Sequence, residues 1–536
     1  MSKCTVKFNR TNSKEIHESD LFLEDFLQQP NIKKARELTD QIFIENSEFI
    51  NRYVYNDYKI TWSWYDNVYQ IALDFISIKS LVNAIESSNP KEIKLLGIPR
   101  KYTRILEMYF VQLDVKVPKE YSFYKAFQEF LFNIILLFFT IISMAYFYMR
   151  KRSNLAIRTE DLIFKETKSD FRLNHLYKKC IENNIQYIEF IRNTSIKRFF
   201  INVYKRKRFA IYYSSITYFV NLFSRKTNFE KDPSSFYESI LFSFHQKNIV
   251  FIKSIPFFEK ILKIIKIDNF LLISFSSRSA HLAIAAKSLK IKVIGIMHGL
   301  SQKEYVVQEF IEPYDEEKKM GCDVYGVWSP YYLDYFKKYS KLTKSEGFQY
   351  SGLLRPISNT LLTNAFTRIS NKKIKILLIT EPVVSVTEIV PYLECLLKYV
   401  DIEIGIKVRP MVKDSYLEEL RSQLPLINNL QIYDGKIEDI GKDFDIFLGS
   451  NSTAVIEASL MGKLSLLIAS NKFGDYFNID TFMPGESILI KDNEKLYEKI
   501  IHRVNNEKTL NTVSIIRDRF FGGNKDGCQW IIDQIK

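Results

Sequence analysis

From Phe209 onward, short apolar runs alternate with longer stretches of helical period. That alternation is the pattern of strands buried on both faces of a mainly parallel sheet, each returned by a helix. The runs Phe209–Tyr213, Ile249–Ile252, Phe270–Phe275, Lys292–Ile296, Val324–Trp328 and Phe348–Ser351 predict a first sheet. Pro356–Lys373 reads as a linker into a second set: Ile374–Ile379, Glu403–Val408, Leu430–Tyr433, Ile446–Gly449, Leu464–Ile468 and Ser487–Ile490. The fold class is α/β, with two doubly wound domains joined near residue 360. Residues 1–90 and Asn154–Arg208 read as charged and helical, with one buried strand at Lys94–Ile98.

A chain of 536 residues exceeds what one hydrophobic core supports, so more than one domain is expected. Lys+Arg of 76 against Asp+Glu of 62 leaves a net charge of +14, which favours a polyanion, an anionic membrane or a phosphorylated substrate as partner. Five scattered cysteines show no metal-binding spacing and fit a reducing compartment. The opening stretch MSKCTVKFNR is polar and does not read as a signal peptide.

Phe130–Met149 breaks the soluble pattern, being uncharged throughout and followed by Arg150, Lys151 and Arg152. A helix of that length covers about 30 Å, the thickness of a bilayer's hydrocarbon core. The basic cluster marks a cytoplasmic flank. A core helix that is apolar all round is the alternative. The expectation is attachment to the cytoplasmic face of the membrane without carrying residues 1–129 across, because Lys94–Ile98 belongs with the rest of the fold.

In open parallel sheets, ligands bind beyond the carboxyl ends of the strands. Those ends supply Ser276, Ser277 and Arg278; His298 and Gly299; Glu381; Lys407 and Arg409; and Ser450, Asn451, Ser452 and Thr453. The last four lead from a buried strand into a helix start, where free N–H groups and small hydroxyls can hold an anion. The same residues also serve as ordinary helix caps. His298 is the best general-base candidate, since its ordinary pKa lies near neutrality and Gly299 leaves room for a ligand. Lys407 and Arg409, two apart on one strand, can bind phosphate, or they can be a solvated strand end. Glu457 can accept from ribose hydroxyls or simply sit favourably near a helix start. No GxGxxG, Walker or HExxH motif occurs. Asp443-Phe444-Asp445 looks like a metal-binding DxD, yet Asp445 enters a buried strand from the wrong end and reads as structural.

Four pieces together resemble the GT-B glycosyltransferases of bacterial surface polysaccharides, in particular capsule Kdo- and sialyltransferase-like enzymes and CDP-glycerol glycerophosphotransferases. They are VIGIMHG (Val293–Gly299), IKVRP (Ile406–Pro410), GSNSTAVIEASLMGKLSLLI from Gly449, and FFGGNKDGCQWIIDQI near the C-terminus. The resemblance covers roughly residues 270–536, and Arg409 stands where such families usually have histidine. It implies an acceptor-side domain over 1–355, including the apolar segment 130–149, a donor domain over 360–515, and a last helix, 516–536, packing back on the first domain. His298 would deprotonate the acceptor. Lys407, Arg409, Ser450, Asn451, Ser452, Thr453, Glu457 and Glu381 would lie on the donor side. Ser276, Ser277, Arg278, Gly299 and Glu304 would lie on the acceptor side.

The implied substrates are a nucleotide-activated sugar, CMP- or CDP-linked by resemblance, and a glycan or lipid-linked acceptor at the inner face of the cell membrane. No metal, separate cofactor or nucleic-acid partner is expected. A non-catalytic scaffold on a degenerate fold, and a UDP-sugar epimerase or hydrolase, are the rivals. The latter would want further carboxylates, for which Glu381 and Glu304 are the candidates.

Overall fold

Strands Ile446–Gly449 and Leu464–Ile468 are buried at every residue, as expected of strands covered by helices on both faces. The structure, a computed structural model, describes residues 3–8, 20–111, 113–116, 123–150, 153–160, 170–192, 195–196, 198–200, 203, 209–224, 233–273, 275–357, 373–380, 384–409, 413–426, 430–471, 473–483, 488–506 and 509–535.

Two large sheets are parallel throughout. The first runs, in spatial order, Phe348–Tyr350, Val324–Val327, Lys292–Ile296, Ile267–Leu272, Ser153–Thr159, Tyr187–Ile191, Ala210–Tyr212. The second runs Gln431–Ile432, Ile402–Val408, Ile374–Thr380, Ile446–Gly449, Leu464–Ile468, Leu489–Ile490. In each, the chain winds outward one way from its first strand and then returns to wind the other way. The reversal falls between Ser153–Thr159 and Ile267–Leu272 in the first sheet, and between Ile374–Thr380 and Ile446–Gly449 in the second. Such reversals leave a crevice at the carboxyl ends of the two diverging strands.

A third, four-stranded parallel sheet orders Leu21–Phe22, Lys3–Lys7, Glu92–Leu96 and Asp114–Lys116. Its unit docks on helix His245–Ile265 and on the loop before strand Val324–Val327 through polar contacts inside an aromatic layer. Trp64 Nε1 donates to Asn248 Oδ1 at 2.8 Å, and Trp62 Nε1 to Glu316 Oε1 at 3.0 Å.

Two sequence expectations are corrected. Ile249–Ile252 is not a strand but lies inside the helix His245–Ile265, where Val250, Phe251, Ser254, Ile255 and Phe258 are buried at helical spacing. A short apolar run cannot be told from a buried helix segment by periodicity alone. Asn154–Arg208 is not all helical, since it contains the central strands Ser153–Thr159 and Tyr187–Ile191. Buried charges at Arg158 and Glu189 interrupt their apolar runs and hide them.

At the other end of the chain, helix Gly527–Ile535 returns to the first sheet. Leu353 N–H donates to Lys525 O, and Gly527 N–H to Leu353 O, both at 2.8 Å. Asp526 caps the helix by accepting from the N–H groups of Cys528 and Gln529 at 2.9 and 3.1 Å. Gly352 has φ +88°, and a Cβ there would meet Lys525 O at 2.2 Å, so this crossing requires glycine.

Candidate functional site

At the reversal of the second sheet, strands Ile374–Thr380 and Ile446–Gly449 run side by side, with Ile379 opposite Gly449. A Cβ on Gly449 would meet Ile379 O at 2.6 Å, so only glycine allows this approach. The turn that follows buries Ser450 and Ser452, and Ser452 Oγ accepts from Ala454 N–H at 3.3 Å as a helix cap. The α-helix is short, Thr453–Glu457, and continues as a 3₁₀ turn, Ala458–Met461. Its dipole is correspondingly weak, and side chains rather than the helix end give the turn its polarity.

Three polar atoms there are buried without a hydrogen-bond partner: Asn451 Oδ1, Asn451 Nδ2 and Thr380 Oγ1. Leaving such a group unpaired costs roughly 1–3 kcal/mol. Both residues lie at the sheet reversal, beyond the carboxyl ends of the two strands.

The reversal of the first sheet is lined by charge. Arg158, 4% exposed, pairs with Glu160 and lies 3.4 Å from the Tyr213 hydroxyl. Glu160 also reaches Arg278 at 4.0 Å. Arg192, at the end of strand Tyr187–Ile191, is crowded by Arg278 and Arg158, with Glu160 as an opposing charge. Burial and those two cations hold its pKa below the usual arginine range. Asp170, fully buried, accepts from Thr159 Oγ1 at 3.1 Å and pairs with Arg172 at 2.7 Å.

His298 follows strand Lys292–Ile296 by two residues and is half-buried. Burial, then Arg172 against an opposing Asp170, with Arg355 and Arg158 adding, push its pKa down to about 4. The free imidazole is therefore neutral at pH 7. A side chain added at Gly299 would meet nothing within 4 Å, so the space beside His298 is open.

The two reversals meet across the junction of the large sheets. Arg355 Nη2 lies 3.8 Å from Glu457 Oε1, while the same arginine reaches His298 electrostatically. Burial raises the Glu457 pKa against the pull of Arg355. The loop after strand Lys292–Ile296 also reaches the second set of strands, where Tyr305 donates to Phe473 O at 2.7 Å and stacks on Tyr476 at 4.4 Å. Asn478 Nδ2 donates to Gln302 Oε1 at 3.4 Å.

The structure thus links His298, with Gly299 adjoining it, to Arg355, and Arg355 to Glu457; Ser450 and Asn451 lie in the turn that leads into the Glu457 helix, and Arg278 lies with Glu160 at the first reversal. Glu304 lies in the same connecting loop as Tyr305, with Oε2 buried and unpartnered. Ser276 is occupied in its own turn, its carbonyl accepting from Ser279 and Ala280 N–H at 3.0 Å. Ser277 faces Asp66 of the first unit at 3.5 Å. Lys407 is not brought to the Ser-rich turn; its Nζ donates to Gly435 O at 2.6 Å, near Asp434 and Lys413. Arg409 is exposed and also has a partner. Glu381 lies outside the described residues.

Sequence reasoning missed Arg158, Glu160, Asp170, Arg172, Arg192 and Arg355 as candidate site residues. Recognising strands Ser153–Thr159 and Tyr187–Ile191 would have found the first two and Arg192, since these stand at strand ends. Asp445 lies at the opposite, amino end of its strand, where it accepts from Lys375 N–H at 2.9 Å. Among the described residues, one trio of metal-competent side chains occurs, His175, Asp526 and Cys528. Asp526 is already engaged there by His175 at 3.0 Å and by the helix N–H groups.

The two large parallel sheets, wound 3-2-1-4-5-6-7 and 3-2-1-4-5-6, with the last helix returned to the first, define an α/β protein of GT-B-like arrangement. No protein-family model and no curated protein matches the chain. Among solved structures it is similar to S. aureus MnaA with UDP, at 12% identity over 72% of this chain and 96% of that one, TM-score 0.44. It is also similar to the UDP-GlcNAc 2-epimerase from Neisseria meningitidis bound to UDP-GlcNAc, at 14% identity over 72% and 99%, TM-score 0.45. A third is MurG from Acinetobacter baumannii, at 11% identity over 71% and 99%, TM-score 0.42.

Proposed function

We propose that the chain is a glycosyltransferase that moves a sugar from a nucleotide-activated donor to a glycan or lipid-linked acceptor. The observation that supports this reading is the unmet hydrogen-bonding capacity of Asn451 and Thr380 at the reversal of the second sheet, whose following helix carries Glu457, paired with the Arg355 that neighbours His298. Asn451 Nδ2, Thr380 Oγ1 and the Ser450 hydroxyl donate to the donor's phosphate oxygens, while Asn451 Oδ1 and Glu457 accept from ribose hydroxyls. A CMP- or CDP-linked donor is favoured by the sequence resemblance.

In the transfer, the acceptor hydroxyl gives its proton to the neutral imidazole of His298 as its oxygen bonds to the anomeric carbon. The bond from that carbon to the phosphate oxygen breaks, and the nucleotide leaves with the electron pair. Arg355, with the hydroxyl and amide donors, stabilises that charge. A base with a pKa near 4 is weak at neutral pH. The donor's phosphates offset the field of Arg172 and Arg355, which raises the imidazole pKa in the complex.

A second reading, epimerisation or hydrolysis of a nucleotide-sugar, is favoured by the buried, unpartnered Oε2 of Glu304 in the loop that carries Tyr305. Thermal denaturation with CMP, CDP and UDP tests the shared premise, since a ligand of the folded state raises its stability. Stabilisation by a nucleotide, lost in Asn451→Ala, supports either enzyme. No stabilisation by any of them favours the scaffold.

A further inference from the structure

Helix Phe123–Met149 has two unlike faces. On one, Leu136, Thr140, Ser143 and Phe147 are buried. The Thr140 and Ser143 hydroxyls donate back to Leu136 O and Phe139 O at 2.9 and 2.7 Å. Thr140 Oγ1 also accepts from the backbone N–H of Tyr212 at 3.1 Å, so this face covers the edge strand Ala210–Tyr212.

The opposite face carries Phe127, Leu131, Phe138, Ile141, Tyr148 and Met149, all exposed, Phe138 by 60% and Met149 by 71%. These positions fall within one arc of the helix. At 1.5 Å per residue the stripe from Phe127 to Met149 extends about 33 Å. Neighbouring rings widen it. Phe130 touches Phe219, which stacks on Phe223, itself 80% exposed. Phe199 packs on Phe132 and Phe139 and holds the exposed Phe200 beside them. A continuous apolar surface of this kind marks an interaction site, unlike single scattered side chains.

Charge names the occupant. Arg150 closes the helix, its guanidinium 4.7 Å from the Tyr146 ring centroid. In sequence Lys151 and Arg152 follow, and Lys205, Arg206, Lys207 and Arg208 immediately precede Phe209, whose ring stacks on Tyr146 at 4.1 Å. No Asp or Glu occurs from Phe130 to Thr159. An apolar stripe ending in cations matches lipid chains beneath anionic head groups. A second copy would oppose the stripe equally well but would bring the same cations.

A crossing helix is excluded by its own packing. Its midpoint is hydrogen-bonded to a sheet edge, and a crossing would carry that edge into hydrocarbon, which cannot satisfy its backbone. We infer that this face docks flat on an anionic bilayer, the helix axis in the membrane plane and the stripe at the boundary of head groups and acyl chains. The inference is independent of the reaction proposed above.

Flotation of the full-length protein with phosphatidylcholine vesicles, with and without phosphatidylglycerol, tests it. Binding is expected with phosphatidylglycerol, weakened by salt. Phe138→Asp with Ile141→Asp should weaken it by at least about tenfold, or 1.4 kcal/mol. These side chains are exposed, so the melting temperature should hold. Val400→Asp, at a position 89% exposed elsewhere, should float as the parent does.

The five native cysteines are buried, so a fluorophore on Phe127→Cys, Phe138→Cys or Tyr148→Cys reports its own position. Quenching by spin-labelled lipids should place all three at one shallow depth. Three results would overturn the inference: no flotation on phosphatidylglycerol vesicles, a deep position 138 between two shallow ends, or a lipid-free dimer that the double variant dissociates.

Discussion

Arg355 Nη2 and Glu457 Oε1 lie 3.8 Å apart and join the end of the first domain to the helix after the Ser-rich turn. Arg355 is too exposed for the pair to contribute more than about 1 kcal/mol of stability. Its position between His298 and Glu457 suits it to hold a ligand's charge.

Glu457→Gln therefore tests the pair. It should leave the melting temperature within a few degrees of the parent and weaken nucleotide binding by about tenfold, the loss of one charged hydrogen bond. Calorimetric titration reads the second effect. Unchanged affinity would confine Glu457 to the domain junction.

Thr380→Val removes a buried hydroxyl that has no partner. The free protein should become more stable, by up to about 1–3 kcal/mol, because no unpaired group remains to be desolvated. Nucleotide affinity should fall at the same time. Opposite signs for stability and binding separate a ligand contact from a structural hydroxyl, which would lose both.

These residues show what the sequence makes legible. Ile446–Gly449 and Lys292–Ile296 stand out because central parallel strands need no polar face, and each carries its strand-end residues into the site. Ser153–Thr159 is equally central, but the buried Arg158 breaks its apolar run, and the cluster of Arg158, Glu160 and Arg192 disappears with it. Lys407 was readable as a strand-end cation, yet its partner, the Gly435 carbonyl, comes from a loop that periodicity does not place. Unpartnered atoms such as Thr380 Oγ1 exist only in three dimensions.

His298 should titrate near pH 4 in the free protein and higher with nucleotide bound, as the phosphates offset the surrounding arginines. Imidazole NMR chemical shifts across a pH series check both values. His298→Ala should lower turnover by about 10²–10⁴-fold and change donor affinity little. An active alanine variant would move the base to Glu304 or Asp170.

His281 is buried among Tyr213, Phe251 and Phe258, with neither ring nitrogen partnered, and burial pushes its pKa down to about 3. The unfolded chain takes up a proton at this position near pH 6.5, the folded protein only near 3. Stability should thus fall as pH drops from about 6.5 towards 3, and His298 adds a loss down to about 4. His281→Leu should raise the melting temperature most at acid pH. An unaltered pH dependence in that variant would remove His281 as a source of acid sensitivity.

The central claim is sugar transfer, and nucleotide release measures it. The purified protein is incubated with CMP-, CDP- and UDP-sugars, with and without a detergent extract of membranes carrying candidate lipid-linked acceptors. The account predicts release from one donor class that depends on the extract and is lost in His298→Ala and in Asn451→Ala. Release that proceeds equally without acceptor, or no release from any donor, would contradict it.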